Sequence, residues 1–317
     1  MSTSYWPEAL IGIDIGGSKI ELVGFAVSAQ GKLQERHRSR VATPSADYTA
    51  FEQTIADLVA DADALLGGRA AVGIGLPGIQ DPVSGRQLSS NVPALNGRAV
   101  ATLLQRRLAR NVVIGNDCQC FALSEAVGGA ADGLPSMFGV ILGTGAGGGF
   151  CVAGRLHRGH SGIAGEWGHW SLPATLLVRH GLPVLDCPCG LRGCLERYVS
   201  GSGLATLHRL LGGEALTAEA IAARANAGDV LAQRSLELHL DLLAHGLAEL
   251  VKVLDPHALV LGGGLSQLGY LYERLPAAMA RHLFPGLRLP ALLPPRFGDA
   301  GGARGAALLA QQLTTNP

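Results

Sequence analysis

Two short runs, GEWGH and CPCGLRGCLE, place Glu166, His169, Cys187, Cys189, Cys194 and Glu196 within one stretch of the chain. Three cysteines and a histidine can make a closed tetrahedral zinc site, structural because four protein ligands leave no position for water. His169 is the first choice for the fourth ligand, and His180, closer in sequence, is the rival. Cys118, Cys120 and Cys151 stand among apolar residues and read as small core side chains. In a reducing compartment a tight cysteine cluster reads as metal ligands before it reads as disulfides. A metal there would pin Glu166 and Glu196 on either side, where they can hydrogen-bond a polyol. The plainer alternative is a pair of surface glutamates.

Phosphate chemistry is suggested by three glycine turns. In Asp14-Ile15-Gly16-Gly17-Ser18-Lys19 a hairpin of bare N–H groups can bind phosphate oxygens, with Ser18 and Lys19 adding donors. Asp14 can hold Mg²⁺ directly or through water. The spacing is neither GxxxxGK[ST] nor GxGxxG, and a tight hairpin without a ligand is the alternative. Gly143, Thr144 and Gly145 open a second oxyanion cradle, unless they form only a flexible turn. Gly262, Gly263 and Gly264 would let a flat ring lie against backbone, the adenosine end of a nucleotide. Asn116-Asp117 follows a strand-like VVIG. A carboxylate there can accept a hydroxyl proton, and phosphoryl transfer asks a protein mainly for positioning and electrostatics. A lone Asn-Asp is otherwise an ordinary turn.

The elements that must hold these residues share one pattern, an apolar strand running into glycines, at 9–19, 138–150 and 258–265. Apolar runs bounded by glycine read as buried strands. Helical spacing covers 48–66, with Ser45 or Asp47 as N-cap and Gly67-Gly68 as the stop, and 217–254 as two or three helices. Strands alternating with helices imply an α/β protein with layered sheets. The 317 residues suit about two domains at roughly 100–200 residues each. The motifs put an N-terminal lobe at 1–118 and a larger C-terminal lobe with the zinc loop at 119–301. A last helix, about 302–317, returns to the first lobe. The formal net charge is zero, and Arg106, Arg107 and Arg110 read as the solvated side of a helix, so no nucleic acid partner is expected. No run approaches the roughly 20 apolar residues of a membrane span, and 1–7 lacks the order of a signal peptide. The expected location is the cytoplasm, away from membranes.

In their order along the chain, DIGGSK, the GLPG of Gly75 to Gly78, Asn116-Asp117, GTGAGGG, GEWGH and CPCGLRGCLE resemble the ROK family of sugar kinases and repressors. The resemblance covers essentially the whole chain, through LGGG to Gly298-Asp299-Ala300-Gly301-Gly302. It implies a two-lobed hexokinase/actin-like ATPase (ribonuclease H-like) α/β fold with sugar and ATP meeting in the cleft. It implies that Asp117 deprotonates the sugar hydroxyl and that Gly78, Asn91, Asn116, Glu166, His169 and Glu196 complete the sugar site. His169 would give one ring nitrogen to zinc and turn the other to the sugar. The phosphates and nucleotide would lie on Asp14, Gly16, Gly17, Ser18, Lys19, Gly143, Thr144, Gly145, Gly262, Gly263 and Gly264. Family members of this pattern transfer the γ-phosphate of Mg-ATP, usually to the 6-hydroxyl of a hexose, and many are dimers. The implied cofactors are ATP, catalytic Mg²⁺ and structural Zn²⁺, and the implied assembly is a homodimer.

Within the family, Asn91-Val92-Pro93-Ala94, the GTGxGGG loop, the GDAGGxRGAA ending and the long spacer before Cys187 are similar to N-acetylglucosamine kinases. GEWGH and Leu95-Asn96-Gly97 are similar to the fructokinase/mannokinase branch. The expected acceptor is N-acetylglucosamine, with fructose, mannose or glucose as alternatives. Repressor relatives carry an N-terminal helix-turn-helix domain, for which a strand beginning by residue 10 leaves no room. A non-catalytic sugar-binding regulator would lack the base or a phosphate turn, yet Asp14, Asp117 and both turns are present. A zinc hydrolase would need an open metal position and an HExxH-type pair, which the sequence does not contain.

Overall fold

The first apolar run folds as β1 (Ala9–Ile15) and returns through a tight turn as β2 (Lys19–Val27), followed by β3 (Leu33–Ala42). Next come α1 (Tyr48–Leu66), β4 (Ala71–Leu76), the short pair β5 (Ile79–Gln80) and β6 (Gln87–Leu88), and α2 (Val100–Leu108). β7 (Val112–Asn116) runs straight into α3 (Asp117–Ala126). β8 (Ser136–Leu142), β9 (Ala146–Val152) and β10 (Arg155–His157) follow, then α4 (Ala174–His180), α5 (Glu196–Val199), α6 (Gly201–Leu210), α7 (Ala218–Asn226) and α8 (Val230–Leu254). β11 (Ala258–Gly262), α9 (Gly269–Ala280), β12 (Ala291–Leu293) and α10 (Gly301–Thr315) complete the chain. This computed structural model describes residues 8–81, 83–88, 91–298 and 301–315. The stretch 1–7, and Asp299 and Ala300 of the GDAGG run, lie outside the described residues.

Two compact units result: 1–133 with 149–164 and 299–317, and 134–148 with 165–298. The division is therefore not a single cut near residue 118. α3 stays with the first unit because it packs on α10 and β4.

In the first unit five strands lie in the order β3-β2-β1-β4-β7, with β1, β4 and β7 parallel. Successive side chains of a strand point to opposite faces, and β1 shows what that requires. Ile11, Ile13 and Ile15 face a core with Phe51, Ile55 and Val59 of α1, while Leu10 faces Ala303 and Ala307 of α10. α1 is capped as its sequence suggests: Asp47 accepts from the N–H groups of Thr49 and Ala50, and Gly67 ends the helix in the left-handed conformation. On the opposite face α10 lies almost backbone to backbone with the sheet. A Cβ at Gly12 would sit 1.8 Å from the Ala303 carbonyl oxygen, and one at Gly73 would sit 1.9 Å from that of Ala306. Gly305 meets the Cys120 carbonyl of α3 in the same way, at 1.7 Å.

In the second unit β8, β11 and β12 run parallel, with Ala258 opposite Met137 and Gly262 opposite Ile141. They belong to the sheet ordered β10-β9-β8-β11-β12. The stretch expected to hold two or three helices contains two, α7 and α8, each N-capped by a side chain, Thr217 and Asp229.

These glycine contacts can be tested. Gly73→Ala should destabilise by about 3 kcal/mol or more, at the upper end for overpacking, because backbone cannot yield as a side chain can. Gly68→Ala, whose Cβ meets nothing within 4 Å, should stay within about 1 kcal/mol. Urea titration of both variants measures the contrast, and equal stabilities would remove the constraint.

Candidate active site

In the first unit the parallel strands end side by side, so their last residues gather at one edge: Asp14 is in register with Gly75, and Gly75 with Gly115. A Cβ at Gly75 would lie 3.5 Å from Asp14 Oδ1 and 3.7 Å from Asp117 Cα. The absence of a side chain there lets the two acids share one neighbourhood. Asp14 also lies against the start of α10, where its carboxylate oxygen would be 2.6 Å from a Cβ at Gly302. An acid beside a helix N-terminus is favourable.

Asn116 caps α3, its Oδ1 accepting from the N–H groups of Cys118 (2.9 Å) and Gln119 (3.3 Å). Its Nδ2 donates to the Gly78 carbonyl at 3.1 Å. One side chain thus fixes both the helix that begins with Asp117 and the loop carrying Gly78. Asp117 Oδ1 accepts from the Cys118 N–H at 2.9 Å. Burial pushes the Asp117 carboxyl above its usual range, and the Cys118 N–H only partly offsets this. A carboxylate with a raised pKa is a better proton acceptor than an ordinary aspartate. Asn116 and Gln119, on either side of Asp117 in sequence, border a cavity of about 300 Å³ together with Gly78, Gln80 and the loop 158–162, whereas Asp117 itself is not among its lining residues. Gln119 holds that loop by donating to the carbonyls of Gly162 and Ala164, both at 2.9 Å.

The DIGGSK turn is tighter than bare N–H groups require. Gly16 N–H donates to the Lys19 carbonyl at 2.9 Å, which closes the hairpin and corrects the expectation that it is free for phosphate. Among the described residues the N–H groups of Gly17 and Ser18 have no such partner. Gly17 approaches Asn91, whose carbonyl oxygen would lie 2.8 Å from a Cβ. Lys19 stands exposed at the start of β2.

In the second unit, β8 and β11 deliver the other two glycine turns next to each other. Gly263, with φ +75°, would bring a Cβ within 2.6 Å of the Leu142 carbonyl, so only glycine suits the position. Gly143 N–H is used inside its own turn, donating to Gly145 O at 3.0 Å, and Gly143 O accepts from Gly201 N–H at 2.8 Å. Those of Thr144 and Gly145 remain without a partner among the described residues. A cavity of about 530 Å³ opens here, bordered by Gly143, Thr144, Gly201, Thr217, Glu219 and Gly264. The sequence reading missed its helical side, the first turns of α6 and α7. The only signals were the cap residues Ser200 and Thr217.

One ligand atom each from His169, Cys187, Cys189 and Cys194 lies within 4.8 Å of all the others. Cys189 Sγ is 3.7 Å from Cys194 Sγ, and Cys187 Sγ is 3.8 Å from His169 Nδ1. A tetrahedral zinc with bonds of about 2.3 Å to sulfur and 2.0 Å to nitrogen sets such atoms about 3.5–3.8 Å apart, close to these two separations, so the donor set is compatible with zinc. His180 turns elsewhere, with Nε2 2.9 Å from Asp241 Oδ2. Two carboxylates flank the His169 ring: Glu166 Oε2 is 3.7 Å from Nε2 and Glu196 Oε1 is 3.9 Å from Nδ1. Glu196 Oε1 also lies 3.0 Å from Cys187 Sγ, and its Oε2 accepts from Ala146 N–H at 3.4 Å. His239, wholly buried, holds the end of α5 by donating from Nε2 to the Val199 carbonyl at 2.9 Å. Burial lowers its pKa to about 4, so it stays neutral. The middle of GEWGH is structural. Trp167 donates to the Gly147 carbonyl at 2.8 Å, and a Cβ at Gly168 would strike Ala146 O at 2.0 Å.

Residues 10–313 match the ROK family. The chain is 46% identical over 302 residues to an N-acetylgalactosamine kinase of Shewanella sp. (strain ANA-3), covering 95% of this chain and 96% of that one. It is 43% identical to an N-acetyl-D-glucosamine kinase of Pasteurella multocida (strain Pm70), covering 94% and 98%. Among solved structures, the ROK hexokinase of Thermus thermophilus superposes with a TM-score of 0.86 at 31% identity, covering 98% of this chain and all of that one. A ROK glucokinase of Streptomyces griseus, in complex with glucose and AMPPNP, gives 0.75 at 29%, covering 96% and 99%. The fold is that of the actin-like ATPases, as the motifs implied. With kinases of one family matching nearly end to end, in sequence and in fold, this chain belongs to the ROK family and is an ATP-dependent sugar kinase.

Proposed function

We propose that the acceptor is a 2-acetamido-hexose, N-acetylglucosamine first, phosphorylated at its 6-hydroxyl with Asp117 as the general base. The observation that carries the mechanism is Asp117 itself, an acid at the first position of α3 whose carboxyl burial raises. It takes the hydroxyl proton as that oxygen bonds to the γ-phosphorus and the bond to the ADP oxygen breaks, leaving a sugar 6-phosphate. Asn116 keeps the base in place through the α3 cap and steadies Gly78 at the sugar. Glu166 and Glu196, with His169 between them, accept hydrogen bonds from ring hydroxyls. Gly17, Ser18, Thr144 and Gly145 offer N–H groups to phosphate oxygens, and Asp14 is the acid at hand for the Mg²⁺ that accompanies ATP.

The relatives named above support an acetamido sugar, and the Shewanella kinase favours N-acetylgalactosamine as the second reading. The two sugars differ only in the configuration at C4. Fructose, mannose and glucose stand behind both. Zinc on His169, Cys187, Cys189 and Cys194 would tie the GEWGH turn to the cysteine loop, which the donor spacing supports. No helix among the described residues is long and apolar enough to cross a membrane. A cytoplasmic homodimer completes the proposal, supported by the family resemblance alone.

An ADP-release assay across N-acetylglucosamine, N-acetylgalactosamine, glucose, mannose and fructose tests the acceptor. N-acetylglucosamine should lead the non-acetylated sugars in kcat/KM by about tenfold or more. A lead for N-acetylgalactosamine selects the second reading, and a lead for fructose or mannose sinks the acetamido assignment.

Asp117→Asn should lower kcat by about 10²–10⁴ while leaving sugar binding measurable by calorimetry. Full activity in this variant would remove Asp117 from the mechanism. Stability should move the other way. A carboxyl raised in the fold stabilises fully below its unfolded pKa of about 3.9 and loses that contribution as pH rises through the folded pKa. The Tm advantage of Asp117→Asn over the wild type should therefore be absent near pH 4 and grow above it. A pH-independent difference would contradict the shift.

Metal analysis of the purified protein should find one zinc per chain. Cys189→Ser or chelation should lower Tm and weaken sugar affinity together. If the metal-free protein matches the native one in both, zinc is not structural here.

A further inference from the structure

We infer that Glu219 reads the ribose diol of the phosphoryl donor, which makes this kinase selective for ribonucleotides. The inference rests on the proposal that the Gly143 turn and Gly262 to Gly264 face the nucleotide. Both turns border the cavity of about 530 Å³ in the second unit, a volume within the roughly 300–1,000 Å³ range of small-molecule sites. Its apolar lining includes Leu142, Ala205, Leu216 and Leu265, suited to a flat base, and Gly143 and Thr144 also border it, where the proposal puts the phosphates. Among the described residues that border it, Glu219 alone is charged. Its Oε1 lies 3.5 Å from where a Cβ of Gly264 would be, so the carboxylate sits over the glycine turn.

The chemistry of the group selects its ligand. An ionised carboxylate has two acceptor oxygens and no donor. It repels phosphate, which must then lie towards Gly143 and Thr144. The adenine edge presents one amino donor beside a ring-nitrogen acceptor, which a carboxylate can serve only in part. The vicinal 2′- and 3′-hydroxyls present two donors side by side and can take both oxygens. Glu219 also stands in the first turn of α7, where an acid favours the helix. That role alone would stabilise the helix without distinguishing one nucleotide from another.

The test compares kcat/KM for ATP, 2′-deoxy-ATP, 3′-deoxy-ATP and GTP in the full-length, zinc-loaded enzyme and in Glu219→Ala, with the sugar held constant. The wild type should prefer ATP over each deoxy form by about tenfold, as expected for a lost hydrogen bond to a charged group. Glu219→Ala should raise the KM for ATP and bring both ratios close to one, leaving the ATP-to-GTP ratio in place. Unchanged deoxy ratios, with or without a shift in Tm, would overturn the inference. A change confined to the ATP-to-GTP ratio would overturn it too, placing Glu219 on the base. Ala205→Phe separates this from failure of the underlying reading. Filling the cavity should raise KM for every nucleotide while calorimetry still detects sugar. If Ala205→Phe moves no nucleotide KM, the cavity is not the nucleotide site and both readings fall. If it does while Glu219→Ala leaves the deoxy ratios alone, only the role of Glu219 falls.

Discussion

The close approach of α10 to β1, β4 and α3 is the constraint on which the first unit depends. Side chains normally keep a helix off the sheet it packs against, as they keep stacked sheets about 10 Å apart. Here Gly12, Gly73 and Gly305 remove them, and carbonyl oxygens occupy the space that Cβ atoms would fill. With that distance short, the N-terminus of α10 reaches the carboxylate of Asp14, and α3 is drawn in until its first residue faces the same strand ends. Asp14, Gly75 and Asp117 are neighbours because small residues far along the chain let the layers settle that closely. Their chemistry is local, but their placement is not.

The second unit solves a similar problem with polar atoms. Glu196 touches the cysteine loop through one oxygen and the N–H beside the Gly143 turn through the other. The segment that carries it is held by His239 at its far end, and it continues into α6, whose first N–H bonds back to Gly143. Three of the four candidate metal ligands and the carboxylate therefore share one short stretch of backbone, and the Gly143 turn is hydrogen-bonded to it.

Much of this was legible in the sequence because the relevant residues are contiguous. DIGGSK, GTGAGGG, GEWGH and the cysteine run each mark a turn whose local geometry limits what fits, and α1 begins and ends at its cap residues. What escaped was what lies far apart in the chain. Gly12 and Gly73 look like weak strand residues until α10 is seen against them. Trp167 and Gly168 read as part of a sugar motif, yet they pin that motif to β9. Glu219 offered only an acid after a capping threonine, and nothing in sequence placed it beside Gly264. The lobe boundary was blurred for the same reason: α3 follows the motif that seemed to end the first lobe, but its packing partner comes nearly two hundred residues later.

Asn116 carries a further consequence for how enzymes of this kind diversify. Its amide caps the helix that presents Asp117 and, from its other end, grips the carbonyl of Gly78. On the roles proposed above for Asp117 and Gly78, replacing Asn116 would disturb proton transfer and acceptor fit at once, which makes it a poor place to retune preference. The cavity beside it has other walls, Gln80 and the loop 158–162, that carry no such double duty. With Gly78 proposed at the acceptor, substitutions in these walls can retune preference while leaving both Asn116 hydrogen bonds in place.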